Sequence, residues 1–137
     1  MTKETNTSTG IDITEFDAVN ACGQGHEFEL NGPDGVTGTG IKLTVIGKHA
    51  EPVTKWISTV VAKSMREQNM AARRGKPVEP KSMDELREQN IDGACVRVTD
   101  WSGVKQPFAQ DLLRATLKRN PHWIDQIVEH SDDLGNF

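Results

Sequence analysis

The stretch that most constrains the fold is the last third of the chain, Trp101 to Phe137. It is divided by short breaks: Trp101-Ser102-Gly103, Pro107-Phe108, Asn120-Pro121-His122-Trp123-Ile124 and Asp133-Leu134-Gly135-Asn136-Phe137. Each break follows or opens a stretch with helical spacing, so two of the chain's three Trp residues stand at helix junctions. Large rings at such corners fix how helices dock, because they carry much apolar area in few rotamers. The segment therefore predicts an architecture, but it does not predict a chemistry.

The breaks delimit helices. Phe108 to Arg119 reads as one, with Phe108, Leu112, Leu113, Thr116 and Leu117 facing inward. Pro121 opens another through Trp123, Ile124, Ile127 and Val128, fading at Ser131-Asp132-Asp133. Upstream, Ser82 and Glu85 have capping-box spacing. A helix from Met83 is expected, with Leu86, Asn90, Ala94, Val98 and Trp101 on one face and Ile91 and Cys95 flanking it. Gly93 on that helix suits a close helix–helix contact. The longest helix starts at Glu51-Pro52, where a proline is tolerated and an acid favoured. Its stripe is Val53, Trp56, Ile57, Val60, Val61, Ser64 and Met65, and Gly75 with Pro77 stops it. Residues 76–81 read as a connector.

The N-terminal half adds a β-hairpin. Glu27-Phe28-Glu29-Leu30 and Ile41 to Val45 alternate polar and apolar around a loop dense in turn formers, Asn31 to Gly40. Phe28, Leu30, Ile41, Leu43 and Val45 are expected on one face, with Ile46 turned toward a helix. A short helix precedes the hairpin, capped by Thr14 or Asp12, with Phe16, Ala18 and Val19 as its apolar contacts and Gly23 as its stop. Residues 1–11, polar and Thr-rich, read as a disordered tail, and 12–137 as one domain. The fold class is α+β, mainly α: a bundle of four to five helices with an N-terminal antiparallel hairpin.

Composition narrows the function. The chain carries a formal charge of −4. Its pI of about 5.5 is far from the basic range expected of a general nucleic-acid binder. Charge is uneven: residues 1–50, 51–81 and 82–137 carry −4, +4 and −4. The basic middle either meets an acidic partner or neutralises its own flanks. The N-terminus has no apolar core of a secretory signal, and no apolar run is long enough to span a bilayer. Two distant cysteines read as reduced thiols.

Chemistry is sparse. His26, His49, His122 and His130 show no paired metal spacing, and neither Cys22 nor Cys95 has a CxxC partner. His130 beside Asp132 and Asp133 reads as a solvated helix end. Cys95 sits by an apolar stripe, which predicts an inert thiol, whereas Cys22 precedes a turn and reads as exposed without a base. Gly35-Val36-Thr37-Gly38-Thr39-Gly40 lacks the Lys-Ser/Thr of a phosphate loop and precedes a strand. No catalytic, cofactor-binding or metal-ligating set emerges. The remaining candidates are partner-binding residues on and near the long helix: Met65, Arg66, Met70, Arg73 and Arg74, with Phe137 at the end. Lys63 to Lys76 leaves a nucleic-acid-binding regulator as an alternative, although no aromatics are interleaved for base stacking.

Taken in order, the motifs resemble the tail assembly chaperones of long-tailed bacteriophages and prophages. The likeness runs over about residues 15–137: Phe16-Asp17 with Ala21 and Gly25, Phe28-Glu29-Leu30, Pro33-Asp34-Gly35, and Ile41 to Gly47. It continues through the Arg-rich helix, Gly75-Lys76, Trp101-Ser102-Gly103, Pro107-Phe108, Asn120-Pro121-His122 and Asp133 to Phe137. The run between Gly103 and Pro107 is shorter than the Gly-containing loop of such proteins. The resemblance implies a non-catalytic protein, without cofactors, acting in the host cytoplasm and missing from the mature virion. Its implied partners are the tape measure protein and, through a C-terminally extended form made by ribosomal slippage, the tail tube protein. An end at Asn136-Phe137 is then the unslipped product. Homo-oligomerisation stays open, and a tail or head-completion protein retained in the virion is the other reading.

Overall fold

Three antiparallel strands and the helices that cover one of their faces account for the core. The computed structural model describes residues 10–137. The expected tail at 1–11 lies outside them, apart from exposed Gly10 and Ile11. Strand β1 (His26–Asn31) and strand β2 (Gly38–Val45) form the hairpin, with Phe28 opposite Leu43 and His26 opposite Val45. In the connecting turn, Asp34 accepts hydrogen bonds from the Val36 and Thr37 amides and from the Thr37 hydroxyl. These bonds hold its carboxyl down at about 2.

Among the described residues five α-helices pack with the strands: α1 (Ala18–Gly23), α2 (Glu51–Arg74), α3 (Met83–Arg97), α4 (Gln110–Arg119) and α5 (Pro121–Asp132). Single 3₁₀ turns flank them at Ile13–Glu15 and Leu134–Asn136. The fold is thus α+β and mainly α, but the hairpin is two-thirds of a sheet. Helix α3 stops at Arg97, and Val98–Ser102 forms strand β3, antiparallel to β2 on the side away from β1. Val98 and Trp101, expected on a helix face, therefore belong to a strand. The ladder to β2, with Leu43 opposite Trp101, outweighs their helical spacing.

The face buried by α3 is also rotated from the expected one. Ile91, Ala94, Cys95 and Val98 go inside, whereas Leu86 and Asn90 are exposed. Together with Phe28, Leu30, Leu43 and Val45 from the sheet and Leu113, Leu117, Ile124 and Ile127 from α4 and α5, they make the main core. Leu112 is exposed and Phe108 precedes α4, packing edge-on to Trp101 with ring centroids 5.1 Å apart. A smaller cluster of Cys22, Ile46, Ala50 and Val53 anchors the start of α2. Cys22 is therefore buried, not exposed.

The N-terminal contacts also differ from expectation. Asp12 caps the first 3₁₀ turn and Asp17 caps α1, because a carboxylate reaches the free amides of a helix start. Phe16 and Val19 remain exposed. At the other end, α5 does not fray. The Ser131 hydroxyl, fully buried, donates to the Ile46 carbonyl at 2.7 Å, and Lys48 N–H donates to the Ser131 carbonyl at 3.1 Å. The ring of His130 stacks on Phe28 with centroids 3.9 Å apart. The solvated terminus expected there is a docked one.

Candidate functional site: the uncovered length of helix α2

Helix α2 has 24 residues, about 36 Å of rise, yet Val53 is its only buried side chain. The helix is attached at its first turns and then extends along the surface. Attachment relies on Val53 in the small cluster and on half-buried Trp56. Trp56 lies across α3 at Gly93, where a Cβ would stand 2.8 Å from the Trp56 Cη2 atom. The glycine is what lets the two helices approach. Beneath the indole, at 6.0 Å from its centroid, is the guanidinium of Arg97.

Arg97 is a buried cation with incomplete pairing. It donates to the Gly93 carbonyl at 2.7 Å and has Asp132 at 3.8 Å, while its Nε finds no partner. Burial pulls its pKa below the ordinary arginine value, and the Asp132 charge opposes that shift. Arg97 thereby ties α3 to the end of α5, with Trp56 of α2 as its cover. Nothing in the sequence marks this role, because an Arg in a last turn reads as a partner for the helix dipole.

Beyond Trp56 the helix has little cover. Ile57, Val61, Met65 and Met70 are 40%, 51%, 58% and 48% exposed. Ile57, Val61 and Met65 share one arc, whereas Met70 belongs to a row on the roughly opposite arc, where Lys55, Thr59, Lys63, Arg66, Met70 and Arg73 follow at spacings of four, four, three, four and three. Lys55 pairs with Glu51 at 2.8 Å. Lys63, Arg66, Arg73 and Arg74 make no ion pair among the described residues. Gly75, at φ +65°, ends the helix with its amide on the Ala71 and Ala72 carbonyls.

Thr59 and Lys63 of this row line a groove of about 890 Å³, with the start of α3 on its far side. Trp56, Val60 and Val96 supply apolar lining, Lys63 belongs to one wall, and Glu85, Glu88 and Asp92 belong to the other. The two walls differ electrostatically. Glu88 is paired with Arg114 at 3.2 Å and Lys118 at 3.1 Å, Asp92 also holds Arg114, and Glu85 closes the capping box on Ser82. Three carboxylates thus share two cations, so the acidic wall keeps a net negative charge, whereas Lys63 on the basic wall makes no ion pair among the described residues. Cys95 also lines the groove, and burial raises its pKa, so the thiol stays protonated and unreactive.

Of the residues singled out from sequence, Met65, Arg66, Met70, Arg73 and Arg74 all lie exposed on α2. Phe137 lies elsewhere. It is half-buried, packs on both core clusters and meets the His26 ring edge-on at 6.0 Å. Its ring is thus taken up by the fold itself. Sequence reading missed that Ile57 and Val61 are uncovered, since a helical stripe alone does not reveal whether anything packs on it. A second cavity, about 130 Å³ between sheet and α4, is bounded by Leu43, Trp101, Leu117 and Trp123 and has room for about one side chain.

Among the described residues, no three His, Cys, Asp or Glu side chains gather as a metal site, and no helix is long and apolar enough to cross a membrane. No protein-family model, curated protein or solved structure matches this chain.

Proposed function

We propose that this chain is a non-catalytic phage tail assembly chaperone. It associates with the tape measure protein in the host cytoplasm, helps present it to tail tube subunits, and leaves before the virion is complete. The order of motifs from Phe16 to Phe137 supports the family reading. The observation that carries the binding role is the long, poorly covered stretch of α2 past Trp56, with half-exposed apolar side chains and cations that form no ion pair among the described residues.

The physics of the role follows from that face. A tape measure protein is long and largely helical, so its apolar stripes self-associate unless they are covered until the tube forms around it. A helix laid along a groove covers such a stripe. Ile57, Val61 and Met65 lie outside the groove lining, on the arc beside Val60, and completing their burial contributes roughly 1 kcal/mol each before the costs of association. That sum favours binding that can be reversed. Met65 and Met70 have unbranched side chains that adapt to different partner sequences. Recruitment of tail tube subunits falls to a C-terminally extended form of the chain.

Co-expression with the tape measure protein of the same tail operon is the test. The account expects a soluble complex, and a tape measure protein that aggregates when expressed alone. Failure of both the short and extended forms to co-purify with it overturns the proposal. Mass spectrometry of finished particles separates the virion-retained alternative, since a stoichiometric copy number there contradicts a chaperone.

A further inference from the structure

We infer that the groove between α2 and α3 receives an amphipathic helix whose apolar stripe is flanked, on the α2 side, by carboxylates. The inference rests on the proposed role as a binding protein and specifies the chemistry of its partner. The groove offers Trp56, Val60 and Val96 to an apolar stripe. Its two walls then make different demands. Glu88 and Asp92 share Arg114 and Lys118 of α4, and Glu85 keeps its charge within its capping box, so that side stays net acidic and disfavours carboxylates. On the α2 side Lys63 lines the groove with Glu85 across from it, and Arg66 and Arg73 continue its row past the groove; none of the three forms an ion pair among the described residues. Their spacing matches acids at three- and four-residue intervals on a helix lying alongside.

The unpaired cations from Lys63 to Arg73 cover about 15 Å of helix axis, so they can track two to three turns of the incoming segment. The same geometry disfavours a nucleic acid. A phosphate backbone drawn to Lys63 would lie beside Glu85, Glu88 and Asp92 across the groove, and half-exposed Met70 interrupts the cations. A carboxylate-flanked helix meets the basic row while its apolar stripe fills the groove, and its other flank, beside Glu85, Glu88 and Asp92, needs neutral or basic groups.

Two synthetic peptides test this: an amphipathic helix with Glu along one flank of a Leu stripe, and the same helix with Lys at those positions. Binding to the full chain is followed by fluorescence anisotropy at low and at physiological salt. The expected result is binding of the Glu peptide, weakened by salt, and a loss of roughly tenfold or more on combined Lys63→Glu, Arg66→Glu and Arg73→Glu substitution. The reversed variant is expected to prefer the Lys peptide, an inversion that a merely misfolded variant does not produce. Equal affinity for both peptides, no binding of either, tighter binding of a DNA duplex, or peptide-insensitive dimerisation through α2 overturns the inference. Tape measure binding that survives the triple reversal removes this inference and leaves the chaperone proposal standing. Peptide discrimination without tape measure binding does the opposite.

Discussion

Substituting Gly93 with alanine sets two effects of known size against each other. In an unpacked helix interior, Gly→Ala stabilises by about 1 kcal/mol, because alanine has less backbone freedom to lose. Here the added methyl stands 2.8 Å from Trp56 Cη2, 3.2 Å from Cζ3 and 3.3 Å from Arg97 Nη1. Relief requires the indole to slide, uncovering the buried guanidinium, or α2 to tilt from α3. Overpacking of this kind costs about 1–3 kcal/mol. The cost exceeds the gain, so Gly93→Ala is expected to destabilise by about 1 kcal/mol net. Urea unfolding followed by circular dichroism gives the value, with the midpoint moving down at constant slope. The sharper test is the second background. With Trp56→Ala already in place only Arg97 Nη1, at 3.3 Å, stays close to the methyl, and Gly93→Ala should then stabilise by up to about 1 kcal/mol. If the substitution stabilises equally in both backgrounds, α2 is not seated on α3 through this glycine and the reasoning fails.

Ser131→Ala removes the donor to the Ile46 carbonyl and leaves that oxygen buried without its partner, so a loss of about 2 kcal/mol is expected by thermal or urea unfolding; a change near zero would mean that the end of α5 is frayed after all. Burial against Phe28, and then the charge of His26, hold the His130 pKa below its ordinary 6.5. The unfolded chain therefore binds more protons than the folded one between the depressed value and 6.5. Stability is complete above that range and falls as pH drops through it, levelling once the folded imidazole also titrates. The difference in Tm between wild type and His130→Asn across this range isolates the effect, and a difference independent of pH, or an NMR titration of His130 above 6.5, contradicts it.

Local signals carried much of the fold into view. The alternation around Phe28 and Leu43, the capping box at Ser82 and Glu85, and the Pro52 start and Gly75 stop of α2 are each decided within a few residues of chain. What escaped was decided by distant ones. Val98 and Trp101 continue the four- and three-residue spacing of α3, and only the ladder to β2, more than fifty residues earlier, makes them a strand. His26 and His130 look like unrelated polar residues until β1 and α5 bring their rings to 5.5 Å. The candidate site divides in the same way. The cationic row is a property of one helix and is legible from spacing. Its lack of ion pairs, the partly paired acids opposite and the buried Arg97 under Trp56 depend on how α3, α4 and α5 pack.

Hydrogen exchange along α2, with and without the tape measure protein, addresses the central claim most directly. Past Trp56 the free helix has few tertiary contacts to protect it, so its amides should exchange early. Addition of the tape measure protein should slow exchange from Ile57 to Arg74 and in the facing start of α3, leaving the three strands unchanged. Protection confined to the sheet, or no change anywhere at concentrations that saturate a complex, would show that α2 is not the binding surface.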